Sequence, residues 1–291
     1  MVETTIPTLQ WFPGHMKRAR RIVEENLPLV DVVMELLDAR IPVSSANPLL
    51  QEIIGDKPRL IVLNKADLAD RLQTKKWLAF FAAQNLPAVA VACATGQGLK
   101  ELTAKVTALA APQAEKLVAR GAKKRAARAM ILGIPNVGKS SLINRLAGAA
   151  KAKTANTPGL TRAKQWIKIG ASLELLDTPG ILWPKFEDMT VGLKLAFTGA
   201  IKDEIYDREG VAALLLEFLG ENYPRVLKER YKLAEISQPP RGQEILADIG
   251  RRRGCLLKGG LVDLEKTERI VLSEFRAGKL GKITLENPPV A

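Results

Sequence analysis

The sequence predicts an α/β fold: a mostly parallel six-stranded sheet with flanking helices, followed by a small all-α domain. Three observations carry this. Short apolar runs alternate with amphipathic helical stretches through the first part of the chain, as parallel strands joined by helical crossovers do. Two of the later runs are separated only by Gly170-Ala171-Ser172, too short for a crossover, so they form a hairpin and give the sheet an antiparallel edge. After about Ala200 strand alternation stops and helical periodicity takes over. The expected domains are therefore residues 1–195 and 196–291.

In chain order the expected strands are Val30–Leu37, Leu60–Leu63 and Ala88–Ala92, then Ala129–Leu132, Lys164–Ile169 and Leu173–Leu176. Arg71–Gln84 and Leu99–Leu109 read as helices of the first block. Residues 116–128 read as a basic connector, helical or not. Its Lys116, Arg120, Lys123, Lys124, Arg125 and Arg128 are equally a solvated face or an RNA contact. In the second domain Val211–Leu219 and Leu261–Phe275 show helical periodicity, and Pro239-Pro240 and Gly259-Gly260 punctuate them.

The chain has 291 residues, 47% hydrophobic and 26% charged, a globular balance rather than a disordered one. Its formal charge of +13 points to a polyanionic partner, nucleic acid first. Cys93 and Cys255 form no disulfide framework and have no metal-ligand spacing, which suits reduced thiols. No apolar run is long enough to span a bilayer, and the first ten residues carry Glu3, no basic residue and no apolar core. A cytoplasmic protein without a membrane partner is expected. The absence of a heptad seam makes monomer the default.

Gly133-Ile134-Pro135-Asn136-Val137-Gly138-Lys139-Ser140 follows an apolar strand and opens into the helical pattern Ser141–Leu146, the context a phosphate-binding loop requires. Its glycines let the N–H groups of residues such as Val137, Gly138, Ser140 and Ser141 wrap phosphate, helped by the helix N-terminus. Lys139 is expected to reach the terminal phosphates and Ser140 to ligate magnesium. Asp177-Thr178-Pro179-Gly180 ends another strand. Asp177 is expected to hold magnesium through water, and the Gly180 amide to bind the γ-phosphate. Between them, Thr161 is the expected switch threonine on magnesium, with Thr157 its competitor. Asn64-Lys65-Ala66-Asp67 ends the second strand. Asp67 accepts from guanine N1 and N2, Asn64 donates toward the ring and the Lys65 stem packs on its face, so adenine would leave polar groups unpaired. Cys93 and Ala94, after the third strand, are expected to complete the base pocket.

In an ordinary GTPase the phosphate loop precedes the guanine-reading tetrapeptide; here the order is reversed, so the first domain is a circularly permuted P-loop GTPase domain. Together these residues resemble the YlqF/RbgA family of circularly permuted GTPases. The similarity extends to Trp11-Phe12-Pro13-Gly14-His15-Met16, Asp38-Ala39-Arg40-Ile41-Pro42 and Ile249-Gly250-Arg251-Arg252-Arg253-Gly254-Cys255. The resemblance implies GTP hydrolysis stimulated by the large ribosomal subunit during its maturation, and a helical domain similar to ANTAR-type RNA-binding modules.

Ile181 stands where Ras-like enzymes carry a water-orienting glutamine, and an isoleucine cannot orient water. The resemblance implies that His15, the chain's one histidine, serves catalysis instead, alongside Lys139 and Thr161. Asn136 stands where P-loop GTPases that use potassium have a ligand for the ion. Lys17, Arg18, Arg20, Arg21 and Arg251, Arg252, Arg253 are the expected contacts to RNA phosphates, or else solvated helix faces. Two functions compete: a ribosome-stimulated GTPase acting in large-subunit assembly, and an RNA-binding scaffold holding GTP as a structural ligand.

Overall fold

The computed structural model describes residues 13–148, 166–176 and 188–289. All six expected strands are present: β1 (Val32–Asp38), β2 (Arg59–Asn64), β3 (Ala88–Ala90), β4 (Ala127–Gly133), β5 (Trp166–Ile169) and β6 (Leu173–Leu176). They form one sheet of order β3-β2-β1-β4-β6-β5, parallel except for the antiparallel β5–β6 pair. Lys164 and Gln165, expected in β5, lie outside the described residues. Every residue of β1 is buried, Glu35 and Asp38 included, as befits a central parallel strand covered on both faces.

Helices α1 (Pro13–Asn26), α2 (Pro48–Ile54), α3 (Arg71–Ala83), α4 (Leu99–Ala119) and α5 (Lys139–Ala147) complete this unit. Val33 and Leu37 of β1 lie four residues apart and so face the same side of the sheet. Val33 packs with Val23 of α1 and Leu50 of α2, and Leu37 packs with Trp77 and Phe81 of α3. Burial of these side chains, each stabilising by about 1.5–3 kcal/mol, fixes the helices on that face. Helix α3 starts where Asp70 accepts from the Gln73 N–H at 2.9 Å, a side-chain cap on the free donors of the first turn.

Helix α4 is longer than its periodicity suggests. It carries Pro112 and runs through Lys116 into the expected connector, whose last residues belong to β4. Only Arg120–Ala126 joins the two. Two of the connector's basic residues are tied inward. Arg125 donates from both terminal nitrogens to Asp31 at 2.8 Å. Arg128 binds Glu174 at 3.0 Å and lies 4.9 Å over the Trp166 ring.

The chain divides into two compact units, one spanning Lys185–Ile283 and the other Gln10–Pro184 with Thr284–Ala291. The described part of the first is built on helices α6 (Met189–Thr198), α7 (Arg208–Asn222), α8 (Pro224–Tyr231), α9 (Gly242–Arg252) and α10 (Leu264–Arg276), with one isolated bridge between Leu256 and Val262. Leu215, Leu216, Leu246, Ile249, Val271 and Phe275 are in its core. The expected helix Leu261–Phe275 begins at Leu264, because Asp263 caps it by accepting from the Lys266 N–H at 2.9 Å. The residues after Ile283, expected with the helical domain, instead belong with the sheet unit, where Leu285 is 5% exposed and its N–H donates to Arg40 O at 2.8 Å.

Candidate functional site at the carboxyl ends of the strands

Strands β1 to β3 run outward on one side of β1, and β4, β6 and β5 on the other. The chain direction therefore switches between β1 and β4, where open α/β sheets place ligands beyond the carboxyl ends of the strands. Three expected elements meet there. Asn64 ends β2, Asp38 ends β1, and the loop after β4 leads through Gly138 into α5.

The tetrapeptide Asn64–Asp67 and the loop between β4 and α5 are joined by direct hydrogen bonds. Asn64 Nδ2 donates to Val137 O at 2.8 Å, and Lys65 Nζ donates to Asn136 O at 2.8 Å. Both Lys65 and Asn136 hold left-handed backbone, with φ of 59° and 56°. Such conformations cost about 1–3 kcal/mol each in a non-glycine residue and concentrate at functional sites. Gly138 is required by two conditions at once. Its φ is 100°, and a Cβ there would stand 2.3 Å from Asn64 Nδ2.

Lys139 opens α5, and its Nζ donates to the loop carbonyls of Gly133 and Ile134 at 2.9 and 2.8 Å. Ser140 and Ser141 are exposed at the start of the same helix. The helix N-terminus and the loop amides are donors of the kind an anion uses, and Lys139 stands beside them. Ser140 offers a hydroxyl oxygen, the hard donor that magnesium takes. No group of three or more His, Cys, Asp or Glu among the described residues could hold a metal by itself. A magnesium ion here would draw most of its ligands from phosphate and water, its usual habit. Thr157, Thr161, Asp177, Gly180 and Ile181 lie outside the described residues, as do the side chains of His15, Lys17 and Arg18; His15 itself falls in α1.

Cys93 stands beside the tetrapeptide, its thiol 3.3 Å from Asn64 Oδ1. Burial pushes this thiol up to about 11, aided by the Asp67 carboxylate and opposed by Arg145. It therefore stays protonated at neutral pH and serves as a weak donor to Asn64 Oδ1. The expected RNA contacts divide. Arg20 bonds Glu24 and Glu52 at 2.8 and 3.1 Å, and Arg21 bonds Glu25 at 2.6 Å. Arg252 pairs with Asp248 at 3.0 Å, and Arg253 bonds Glu274 at 3.1 Å while lying 5.4 Å from the Tyr231 ring centroid. Arg251 is exposed in the last turn of α9.

One pair was not assigned a role on sequence grounds. Asp38 and Arg40 are 2% and 1% exposed, and Arg40 binds both oxygens of Asp38, at 3.0 and 2.8 Å. Lys65 Nζ lies 3.0 Å from the same carboxylate. Burial raises the Asp38 pKa, but the charges and hydrogen bonds of Arg40 and Lys65 more than reverse this and hold it well below the usual carboxylate range. The signal in the sequence was an acid–base pair directly after an apolar run.

A family model described as a 50S ribosome-binding GTPase matches residues 128–233. A ribosome biogenesis GTPase A of Bacillus cereus is 55% identical over 280 residues, covering 96% of this chain and 94% of that protein. The mitochondrial ribosome-associated GTPase 1 of Mus musculus is 35% identical over 301 residues, covering 95% and 90%. Among solved structures, GNP-bound YlqF from Thermotoga maritima matches with a TM-score of 0.63 and 28% identity, covering 94% of this chain and all of that one.

Proposed function

Since the chain belongs to the ribosome biogenesis GTPase A family and is a GTPase acting in ribosome biogenesis, we propose that it serves as an assembly factor of the large ribosomal subunit, binding rRNA through basic surfaces and coupling its nucleotide state to the helical domain. The observation that carries the nucleotide assignment is the pair of 2.8 Å hydrogen bonds joining Asn64 and Lys65 to the phosphate loop, across strands far apart in sequence. They support a single site that reads guanine at one end and phosphate at the other.

In this reading Asp67 accepts from guanine N1 and N2. Asn64, oriented by Val137 O, and Cys93 line the base, and Ala94 contributes its backbone. The Lys65 stem covers the ring. Amides of residues 136–141 wrap the phosphates, and Lys139 moves its Nζ from the Gly133 and Ile134 carbonyls to the β- and γ-phosphates. Ser140, Asp177 and Thr161 would hold magnesium, which when bound neutralises charge developing on the phosphate oxygens, and the Gly180 amide would meet the γ-phosphate. Ile181 cannot orient the attacking water, so that task falls to His15. Asn136 would admit a potassium ion as a further positive charge. Lys17, Arg18, Arg20, Arg21 and Arg251–Arg253 contact RNA. The factor works as a cytoplasmic monomer; no helix of the described residues is long and apolar enough to cross a membrane.

The deciding experiment is GTP turnover at physiological potassium, alone and with purified large ribosomal subunits. Stimulation of about tenfold or more, about 1.4 kcal/mol off the barrier, is expected, and it should disappear in His15→Ala. No stimulation with GTP binding intact would favour an RNA-binding scaffold with GTP as a structural ligand. Equal rates in potassium and sodium at matched ionic strength would remove the role of Asn136 as an ion ligand.

A further inference from the structure

The segment that follows the helical unit returns to the sheet unit and is buried there. Thr284, Leu285 and Glu286 are only 4%, 5% and 7% exposed. Burying a carboxylate costs several kcal/mol unless its oxygens find donors. Among the donors Glu286 meets are the Val43 N–H at 2.7 Å, the Ser44 N–H at 3.2 Å and the Ser44 hydroxyl. Charge-assisted bonds to consecutive backbone amides specify one conformation of the Arg40–Ser44 turn. The Leu285 N–H, donating to Arg40 O at 2.8 Å, holds the same turn from its other end.

From this turn the contacts lead to the base site. Arg40 grips Asp38 through both carboxylate oxygens, and Asp38 lies 3.0 Å from Lys65 Nζ. A second branch leaves the same three residues. Thr284 Oγ1 accepts from the Asp70 N–H at 3.0 Å, and Asp70 caps α3 three residues past Asp67. Glu286 O accepts from Trp77 Nε1 of α3 at 3.1 Å. One branch thus ends on Lys65, inside the tetrapeptide, and the other on the turn just after Asp67.

We propose that Thr284–Glu286 is a positioning element of the guanine end of the nucleotide site, acting on Lys65 through Asp38 and Arg40 and on Asp67 through the start of α3. This rests on the reading of Asn64, Lys65 and Asp67 given above. The segment touches no nucleotide itself. It sets where the Lys65 stem and the Asp67 carboxylate stand, and its loss falls on affinity for the base rather than on chemistry at the γ-phosphate.

The test is calorimetric titration of the full-length protein with GDP and with a non-hydrolysable GTP analogue. Glu286→Ala is expected to weaken both ligands by the same factor, about five- to tenfold, the range of coupling through packed networks. The KM for GTP should rise with it more than kcat falls, and Glu286→Gln, which keeps a carbonyl acceptor, should recover part of the loss. In the double variant with Lys65→Ala the two losses should be clearly less than additive, because both act through one side chain. Unchanged affinity in Glu286→Ala, or full additivity with Lys65→Ala, overturns the proposal. Should Glu286→Ala fail to fold, Thr284→Val, which removes the hydroxyl that accepts from the Asp70 N–H, is expected to weaken GDP about two- to threefold; no change there also overturns it. Asp67→Asn separates the two layers. Guanine binding retained in that variant defeats the base assignment itself, whereas guanine binding lost there but intact in Glu286→Ala defeats only the positioning role.

Discussion

Asp38 shows how one buried charge serves two partners. It is 2% exposed, gripped by Arg40 and reached by Lys65, and its pKa is depressed below the ordinary 3.8. A depressed carboxyl contributes stability that is fully present above the unfolded pKa and is lost as pH falls through the folded value. Urea unfolding of Asp38→Asn should therefore give a loss of about 3 kcal/mol at pH 7, and a flatter decline of stability than the unaltered protein between about pH 5 and pH 2. A parallel decline in both proteins would show that Asp38 is not the group responsible. Gly138→Ala is predicted to act on binding: with φ at 100° and Asn64 Nδ2 only 2.3 Å from the new Cβ, the Asn64–Val137 bond must break, and titration should show GTP affinity down by about tenfold or more.

At the level of elements, the sheet was legible because each strand is a short apolar run bounded by turn residues. The boundaries differ in both directions: hydrogen bonding carries β2 and β4 past their apolar side chains to Arg59, Asn64 and Gly133, whereas β1 starts at Val32 rather than Val30 and β3 ends at Ala90 rather than Ala92, inside their apolar runs. Helix α4 was underestimated because Pro112 and a run of alanines hide its periodicity. Helices α1, α2, α6, α8 and α9 have no clear signal in the sequence, several of them being short or strongly charged. Charge alone does not separate the arginines that bind within the fold from those that face solvent; the burial of the partner does, as buried Asp31 beside Arg125 and exposed Glu25 beside Arg21 show. This separation is measurable. Arg125→Ala removes a bidentate bond to Asp31, which is 4% exposed, and should cost about 1.5–3 kcal/mol of stability while leaving the salt dependence of RNA binding unchanged. Arg251→Ala should do the reverse, lowering the slope of log affinity against log salt by about one with little change in thermal midpoint. Equal salt slopes for the two variants would contradict the division.

Across the whole molecule, the permutation was plain from motif order, and Asn64, Lys65 and the loop after β4 lie together beyond the carboxyl ends of the strands. The return of Thr284–Glu286 to the sheet unit was not legible. A threonine, a leucine and a glutamate carry no pattern of their own, and their partners at 40–44, 70 and 77 lie more than 200 residues earlier. The helical unit is consequently tied to the sheet unit by the chain at both of its ends. That arrangement has a consequence for the order of manufacture. Thr284–Glu286 comes later in the chain than every described strand and helix. A translating ribosome therefore releases the entire sheet and the entire helical unit before it releases the residues that set Lys65 and Asp67 in place. A partly made copy can fold its sheet and still hold guanine nucleotide poorly, so the enzyme gains its full grip on GTP only after its helical unit has been synthesised.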